Sequence, residues 1–359
     1  MYQQPPYYIR ITFKLLLAIL VFYVLNIAQD ILIPFIIAVL FTFMLLPVSD
    51  TLRKWKFPAA VAILISIVLA ILVVSGFIYF FYYQIASFAD DLPVLQEKLM
   101  NKVEGIQNFV FRNFRISKDE QIDFLQSKLA ENASSSGTLL LGLFSATGAF
   151  FANLALIPIY IFFLTLYKEK IKQFVVAVVA DEKHQNVMEI IKKVSGVSQK
   201  YLKGIFLDVL ILSILNSTGF MLLGIEHAIL FGVLASALNI IPYIGVLIGS
   251  ILPVLMALLT KDEIGYAIGA AGVCVVVQFI DNNFITPYVV GSSVSINPLT
   301  ATLVLLICGS VWGVTGMIIC LPLTGMIKVV CDNVDYLKPY GFLLGEEVDY
   351  TKNKFRLRR

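Results

Sequence analysis

Long apolar runs, separated by short polar connections, dominate the pattern along this chain of 359 residues. A helix that crosses a membrane needs about 20 consecutive, mostly apolar residues. The pattern predicts an all-α polytopic membrane protein with about eight transmembrane crossings, in which five spans precede two longer apolar tracts and one further span between them. In chain order the segments are Ile11–Ala28, Ile31–Pro47, Pro58–Tyr82, Ser135–Leu166, Gly204–Leu223, Ala228–Leu259, Ile264–Ile285 and Pro298–Val330.

Positive charges indicate the orientation of these spans. Lys and Arg flank the first span, fill the connection at 53–56, recur between 168 and 203, and return in the final residues KNKFRLRR. The connection AQD after the first span contains neither. Because cytoplasmic loops carry an excess of Lys and Arg, both termini are predicted to lie in the cytoplasm and the number of crossings to be even.

Composition agrees with a chain surrounded by lipid. Hydrophobic residues make up 59% of the sequence and charged residues 14%, whereas soluble domains carry roughly 25% charged residues. Membrane lipid is therefore an expected partner, and nucleic acid is not. The cysteines lie in or beside apolar segments and match no metal motif, so they are predicted to be buried thiols rather than disulfides: Cys274, Cys308, Cys320 and Cys331.

Two polar stretches interrupt the apolar segments and, together with a basic tail, divide the chain into six parts. Each contains apolar residues at the three- and four-residue spacing of an amphipathic helix, from Leu92 to Val110 and from Ile190 to Val197. Such helices either pack on or along the membrane part or assemble subunits, and the sequence leaves both open. The predicted parts are 1–83 with three spans, 84–134 as an extracytoplasmic excursion, 135–167 with the fourth span, 168–203 as cytoplasmic helices, 204–334 as a core with broken helices, and 335–359 as a basic cytoplasmic tail.

The first long tract contains NIIPYIGVLIGSILP, Asn239 to Pro253, where helix breakers interrupt an apolar run. A tract of this length is too long for one straight helix and too short for two crossings with a loop. Pro242 removes a backbone donor, and Gly245 and Gly249 allow close backbone approach, so a re-entrant hairpin or an interrupted helix is predicted. The second tract repeats the theme with Pro298, Gly309, Gly313, Gly316, Pro322 and Gly325.

Helix packing alone is the alternative explanation for the glycines, because pairs at four-residue spacing commonly serve close helix contacts. Packing does not explain the flanking prolines. Non-helical backbone at membrane depth is tolerated only inside protein or along a watery cavity, and paired breaks point to the substrate site of a transporter. The sequence therefore favours a functional break at 239–253.

Two acids lie in apolar segments, where ionisable side chains are costly and often functional. Asp281 either lies near the outer interface, since Pro287 ends its helix soon after, or belongs to a polar lining. Its accompanying amides favour the lining: Gln278, Asn282 and Asn283. Asp208 either forms a proton or cation site or lies at headgroup level and pairs with Lys203 or Lys200. Asn239 is the stronger site candidate because it adjoins the break. Asn216 does not adjoin it, and a lone Asn in a span often only bonds a neighbouring helix.

Motifs of enzymes are missing from the sequence. It contains no GxxxxGK[ST] loop, no GxSxG elbow and no HExxH. His184 and His227 have no partners at metal-ligand spacing. We therefore expect no catalytic residue, no bound metal and no cofactor other than Na⁺ or H⁺ as a coupling ion.

Three segments together resemble the autoinducer-2 exporter family of bacterial membrane proteins: NIIPYIGVLIGSILP, QFIDNNFITPYVVGSSVSINPL and GVTGMIICLPLTGMIKVV. The order of three spans, a soluble excursion and five spans with breaks agrees along nearly the whole chain. The resemblance implies a secondary transporter of the bacterial inner membrane, which either exports autoinducer-2 or exchanges Na⁺ or Li⁺ for H⁺. It also implies a homo-oligomer, a pentamer in characterised members, with a moving transport domain built around the broken tracts.

The resemblance also implies a site for a small polar solute or a monovalent cation. Carried over by position, it involves Pro242, Tyr243, Gly245, Gly249, Gln278, Asp281, Pro287, Gly291 and Pro298, and we add the amides Asn239, Asn282, Asn283 and Asn297. The family often has His before the proline at 298, where this chain has Asn297, and often a second proline where it has Val246. Since Asn cannot titrate, a proton-coupled mechanism would depend on Asp281 or Asp208.

A non-transporting scaffold is the rival expectation. It would hold envelope partners through the excursion, so that excising 92–130 would destroy function while variants of Asp281 would be silent. The transporter hypothesis predicts the reverse.

Overall fold

The computed structural model describes residues 6–114, 155–178, 184–241, 244–289 and 295–346. These ranges are almost entirely helical and contain no strand. Six of their helices are long and apolar enough to cross a membrane, and shorter apolar helices accompany them. The predicted fold class, an all-α polytopic membrane protein, is confirmed.

The described helices follow the apolar segments, with boundaries that differ from the predicted ones. A π-helical turn, Asp281–Ile285, and a 3₁₀ turn, Asp335–Leu337, join four of them in two pairs. In chain order they are α1 Tyr7–Ile27, α2 Gln29–Lys54, α3 Ala59–Phe114, α4 Ala155–Leu166, α5 Lys168–Val178, α6 His184–Leu222, α7 Ala228–Leu238, α8 Ile244–Thr260, α9 Ile264–Ile280, α10 Thr286–Val289, α11 Pro298–Asn333 and α12 Lys338–Leu344.

The helices form two compact units. The first comprises Met1–Leu69, Leu156–Asp208 and Phe284–Arg359, and the second comprises Ala70–Ala155 and Val209–Asn283. In the first unit, Leu40 of α2 packs with Ile319 and Met326 of α11. The core of the second unit joins helices α3, α6, α7, α8 and α9 through Leu95, Phe220, Ile225, Ala228, Phe231, Met256, Ala257, Ala267 and Ala270.

Two helices extend beyond the spans that the apolar pattern predicts. Helix α3 has 56 residues and runs through position 83, where the sequence predicts the excursion to begin. No Gly or Pro separates the span from the amphipathic stripe before Pro93, so nothing in the backbone ends the helix there. Helix α6 likewise joins the predicted cytoplasmic stripe to the fifth span.

The beginning of the predicted excursion packs on helices of the second unit. Phe88 contacts the rings of His227 and Phe231, and Leu95 is only 6% exposed. The Lys98 ammonium lies 3.7 Å from the Glu226 carboxylate. This part of α3 therefore packs on membrane helices, and a role in subunit assembly stays a prediction.

The first long tract is an interrupted helix, as predicted. Helices α7 and α8 pack against each other, and a Cβ atom added to Gly249 would lie 2.8 Å from the Ala235 Cα. With 11 and 17 residues they reach roughly 16 and 25 Å at 1.5 Å per residue, which is less than the roughly 30 Å hydrocarbon core. We call α7, the connection 239–243 and α8 the first hairpin; Pro242 and Tyr243 lie outside the described residues.

The second long tract also folds back, at Trp312 and Gly313. Gly313 has φ 60° and ψ −146°, far from helical values. A Cβ atom added to Gly309 would lie 2.5 Å from the Met317 Cε, and one on Gly316 would collide with the Cys308 carbonyl. Residues eight apart in a straight helix are about 12 Å apart, so 298–311 and 314–333 are the two arms of a second hairpin.

The turn of the second hairpin is held by the end of α1, within the first unit. The Trp312 indole N–H donates to the Leu25 carbonyl at 2.9 Å. The Asn26 side-chain amide donates to the Val311 carbonyl at 3.3 Å. Only Gly313 of the breakers predicted in this tract marks the reversal, and Pro322 lies inside the second arm without ending it.

Candidate transport site

The buried carboxylate of Asp281 is the centre of the site. Asp281 follows the last residue of α9 and is 2% exposed. Its Oδ2 accepts a hydrogen bond from the Asn239 side-chain amide at 3.0 Å and one from the Gln278 amide at 3.2 Å. Asn239 belongs to the connection of the first hairpin. The structure thus brings together three residues that the sequence predicted as site residues, and all three lie in the second unit.

Local sequence explains why the helix changes pitch at Asp281. In a regular α-helix the Pro287 ring would collide with the carbonyl four residues earlier, which belongs to Asn283. The wider π turn at 281–285 comes just before this proline, and single π turns inside helices are frequent at functional sites. Gln278 and Asn282 remain one turn apart, and the Gln278 amide donates to the Asn282 Oδ1 at 3.1 Å.

Asn283 does not join this cluster. Its side-chain amide donates to the Phe279 carbonyl at 2.8 Å, and the residue is exposed. Asn282 is also exposed, but it remains linked to the cluster through Gln278.

A small cavity of about 30 Å³ adjoins the cluster within the second unit. A space of 10–15 Å³ on this measure already holds one water molecule, so the cavity admits about two waters or a single ion. Asn239 and Gln278 line it and also bind Asp281. Its lining residues are Leu212, Asn216, Ala235, Ser236, Asn239, Val246, Gly249, Ser250, Cys274, Val277 and Gln278.

A larger groove of about 620 Å³ runs along α8 and α9. Its walls are mostly apolar, and its polar side chains are Ser250, Gln278 and Asn282, together with the Cys274 thiol. Ser250 and Gln278 line both the groove and the small cavity, so the two spaces are neighbours. Small-molecule sites commonly have volumes of about 300–1,000 Å³, a range that includes the groove but not the cavity.

The two glycines of the first hairpin have a packing role. A side chain on Gly245 would collide with the Leu238 carbonyl, and one on Gly249 would press on the Ala235 backbone. Packing therefore accounts for these glycines, as the alternative explanation expected, and Gly249 also lines the small cavity. The break itself places Asn239 against Asp281, which packing does not explain.

Asn297 holds helix ends together in the first unit. Its side-chain oxygen accepts from the Thr300 backbone N–H at 2.7 Å and so caps α11. Its amide nitrogen donates to the carbonyls of Leu343 and Gly345, at 2.7 and 2.9 Å. Pro298, at the first position of α11, and Pro287, in α10, are both exposed. Ligand binding by these three residues stays a prediction.

Asp208 and Gly291 complete the predicted set. Asp208 lies in α6, belongs to the first unit and is 9% exposed. A carboxylate this well buried in an apolar helix agrees with a functional residue, and its role as a proton or cation site stays a prediction. Gly291 lies outside the described residues.

Three residues that line the small cavity are not among the site residues predicted from the sequence. Asn216 is 7% exposed, and its amide donates to the Ser236 hydroxyl at 3.2 Å. Ser236 and Ser250 lie on the two arms of the first hairpin, and both line the cavity. The usable signal was a set of small polar side chains inside otherwise apolar helices, flanking the break at 239–243.

These features define a class of protein: a polytopic helical membrane protein with two folded-back tracts and a buried polar site beside one of them. The sequence profile of the AI-2E family transporter matches residues 13–335, and the chain belongs to that family. It is 23% identical to YrrI of Bacillus subtilis (strain 168) over 342 residues, which cover 90% of this chain and 94% of YrrI. It is 22% identical to the AI-2 transport protein TqsA of Escherichia coli (strain K12) over 330 residues, covering 90% and 92%. The chain is thus a membrane protein of a transporter family.

Proposed function

We propose that this protein is a secondary transporter that binds its cargo beside Asp281 and carries it across the bacterial inner membrane by elevator-like alternating access. The cargo is either a small polar solute or Na⁺ or Li⁺, the latter in exchange for H⁺. The observation that carries the proposal is the buried Asp281 carboxylate, which the turn of a broken helix supplies with a hydrogen bond from Asn239. An ionisable side chain in an apolar interior is costly, so such a residue is a functional candidate by default.

The shapes of the two hairpins support alternating access. In transporters, interrupted helices place backbone dipoles and freed carbonyls at a site near the middle of the membrane. Here both arms of the first hairpin are too short to cross the hydrocarbon core, which favours a re-entrant position. The second hairpin, in the other unit, likewise reverses direction within an apolar tract.

Homo-oligomerisation is a further part of the proposal. The apolar side chains of α1 are exposed along almost its whole length, among them Leu17, Ile19 and Tyr23. Such a surface suits lipid or neighbouring subunits. Native mass spectrometry should give a single homo-oligomer, a pentamer if the family pattern holds. A C-terminal fluorescent fusion that folds only in the cytoplasm tests the proposed orientation.

The test is counterflow in proteoliposomes that contain the purified full-length protein. Vesicles loaded with unlabelled Na⁺ should accumulate labelled Na⁺ transiently. With the membrane potential clamped at zero by valinomycin and equal K⁺ on both sides, a carrier does this and a passive channel does not. A parallel set uses autoinducer-2. Asp281→Ala should abolish accumulation while leaving insertion and assembly intact. Asp262→Ala, in an exposed position of the same unit, is the matched control and should behave as wild type.

Two outcomes would refute the proposal. Normal flux of the transported probe in Asp281→Ala would remove the site assignment. Accumulation of neither probe by a correctly assembled wild-type protein would contradict carrier function and favour the scaffold hypothesis, for which excision of 92–130 should be the damaging change.

A further inference from the structure

The hydrogen-bond donors and acceptors that line the small cavity of the second unit determine which molecule or ion can bind in it. Five polar side chains line it: Asn216, Ser236, Asn239, Ser250 and Gln278. A hydroxyl supplies one donor hydrogen and an amide supplies two, and each also carries an oxygen acceptor. The hydrogens and oxygen lone pairs that bind no protein partner are left for a molecule or ion inside.

Most of these hydrogens are directed at protein acceptors. The Ser236 hydroxyl donates to the Gly232 carbonyl at 2.7 Å, and the Ser250 hydroxyl donates to the Val246 carbonyl at 2.8 Å. Both hydrogens of the Gln278 amide are used, by Asp281 and Asn282. One hydrogen each of Asn216 and Asn239 is used, by Ser236 and Asp281.

The cavity is therefore rich in acceptors. Five side-chain oxygens remain against two amide hydrogens and the weak S–H donor of Cys274. The orientation of the two amides beside Asp281 follows from chemistry, because a carboxylate only accepts hydrogen bonds and must face their nitrogens. Their oxygens consequently point away from Asp281. Such a lining matches a cation or a hydrogen-bond donor better than an acceptor, since an acceptor would meet five oxygens and few hydrogens.

Size and charge narrow the choice further. At about 30 Å³ the cavity is roughly a tenth of the smallest usual small-molecule pocket, so a polyhydroxylated organic solute does not fit. The Asp281 carboxylate accepts from the Asn239 and Gln278 amides, and this hydrogen bonding polarises both amides so that their oxygens become better ligands for a cation. Hard monovalent cations bind to carbonyl and hydroxyl oxygens of this kind, including those at broken helices of transporters.

We infer that the cavity between α6, the first hairpin and α9 is a binding site for one largely dehydrated Na⁺ or Li⁺ ion, with Asn216, Ser236, Ser250 and the amide oxygens of Asn239 and Gln278 as ligands. The inference rests on the proposed function, because it locates the coupling or transported cation of that transporter. It separates this ion from any organic cargo, for which the neighbouring groove of about 620 Å³ has room.

The test is equilibrium binding of labelled Na⁺ to the purified full-length protein in detergent. Saturable binding that Li⁺ displaces and choline does not is expected for the wild type. Ser250→Ala removes one ligand oxygen and leaves no protein donor without an acceptor, and it should raise the half-saturating Na⁺ concentration about tenfold. Ser236→Ala should do at least as much, since it also frees the Asn216 amide.

The matched control is Ser66→Ala. Ser66 and Ser236 are each 1% exposed, and each donates to the carbonyl four residues earlier, at 2.8 Å for Ser66 and 2.7 Å for Ser236. Ser66 lies in α3 and does not line the cavity. Its variant should bind Na⁺ as the wild type does, which separates loss of a ligand from loss of a buried hydroxyl.

The outcomes distinguish this inference from the proposed function. Unchanged Na⁺ binding in both Ser250→Ala and Ser236→Ala, or no saturable binding in the wild type, would overturn the cation site while counterflow could still establish transport. Weakened binding in both variants, with a normal Ser66→Ala, supports the site. That result would stand even if counterflow failed for every probe, in which case the proposed function alone would fall.

Discussion

Replacing Gly313 with Ala tests the second hairpin, because a chain reversal at this position predicts a less stable variant and a straight helix predicts a more stable one. Gly313 has φ 60° and ψ −146°, a region that is essentially restricted to glycine and costs an L-residue about 1–3 kcal/mol. A Cβ atom at this position would meet nothing within 4 Å. The whole effect is therefore backbone strain, and Gly313→Ala should lower the free energy of unfolding by about 1–3 kcal/mol.

A glycine of regular helix provides the opposite expectation. Gly272 lies inside α9, and a Cβ atom there also meets nothing within 4 Å. In such a position Ala is more favourable than Gly by up to about 1 kcal/mol. Gly272→Ala should thus be neutral or stabilising, and the two variants should differ by about 1–4 kcal/mol.

Thermal unfolding in one detergent, followed by far-ultraviolet circular dichroism, measures both variants against the wild type. The expected result is a midpoint at least about 2 °C lower for Gly313→Ala and one that is unchanged or higher for Gly272→Ala. If the helix ran straight through position 313, both substitutions would stabilise it. A raised midpoint for Gly313→Ala would therefore refute the reversal at Trp312 and Gly313.

Three further substitutions probe the hairpins and the helix cap. Asn297→Ala should cost about 1–2 kcal/mol of stability, because it removes the cap of α11 and the two bonds to the end of α12; a thermal midpoint equal to that of the wild type would contradict this role. Trp312→Phe removes one hydrogen bond to Leu25, which should cost about 0.5–1.5 kcal/mol of stability and lower the thermal midpoint. An unchanged midpoint would show that this bond does not hold the turn. Gly249→Ala should cost about 1–3 kcal/mol by pressing on Ala235 and should weaken Na⁺ binding; binding and stability like those of the wild type would count against close packing of the first hairpin.

Hydropathy and helix breakers predicted the location of the helices well and their ends less well. Apolar runs identify spans because lipid demands them, so each predicted span contains or overlaps a described helix. No comparable sequence signal marks the point where a membrane span continues as an amphipathic helix. Helix α3 passes from one pattern to the other without Gly or Pro, and a change in polarity alone does not end a helix.

The positions of the two reversals were predictable to different degrees. In the first tract the sequence features that indicate a helix break, Pro242 and the polar Asn239, lie within a few residues of each other. The break occurs there. In the second tract six Gly and Pro residues share the signal. Only the backbone angles identify Gly313, since Pro322 is accommodated within a helix and Gly309 and Gly316 serve the contact between the arms.

The candidate site was predictable where polar residues cluster in sequence and not where they meet across helices. Asp281 and Gln278 stand together in the chain, and Asn239 adjoins the break. Asn216 and Ser250 come from separate helices and join Asn239 only through the packing of the first hairpin. Asn297 shows the converse, because its predicted place in the site gave no indication of its role as a helix cap.

The most direct measurement of cation transport beside Asp281 is the internal pH of proteoliposomes after an external pulse of Na⁺ or Li⁺. Exchange of an entering cation for a departing proton should raise the internal pH for the wild type and for the control Asp262→Asn. Asp281→Asn, assembled normally, should give no change. An equal rise in Asp281→Asn, or no rise in a correctly assembled wild-type protein, would contradict cation/proton exchange at this site.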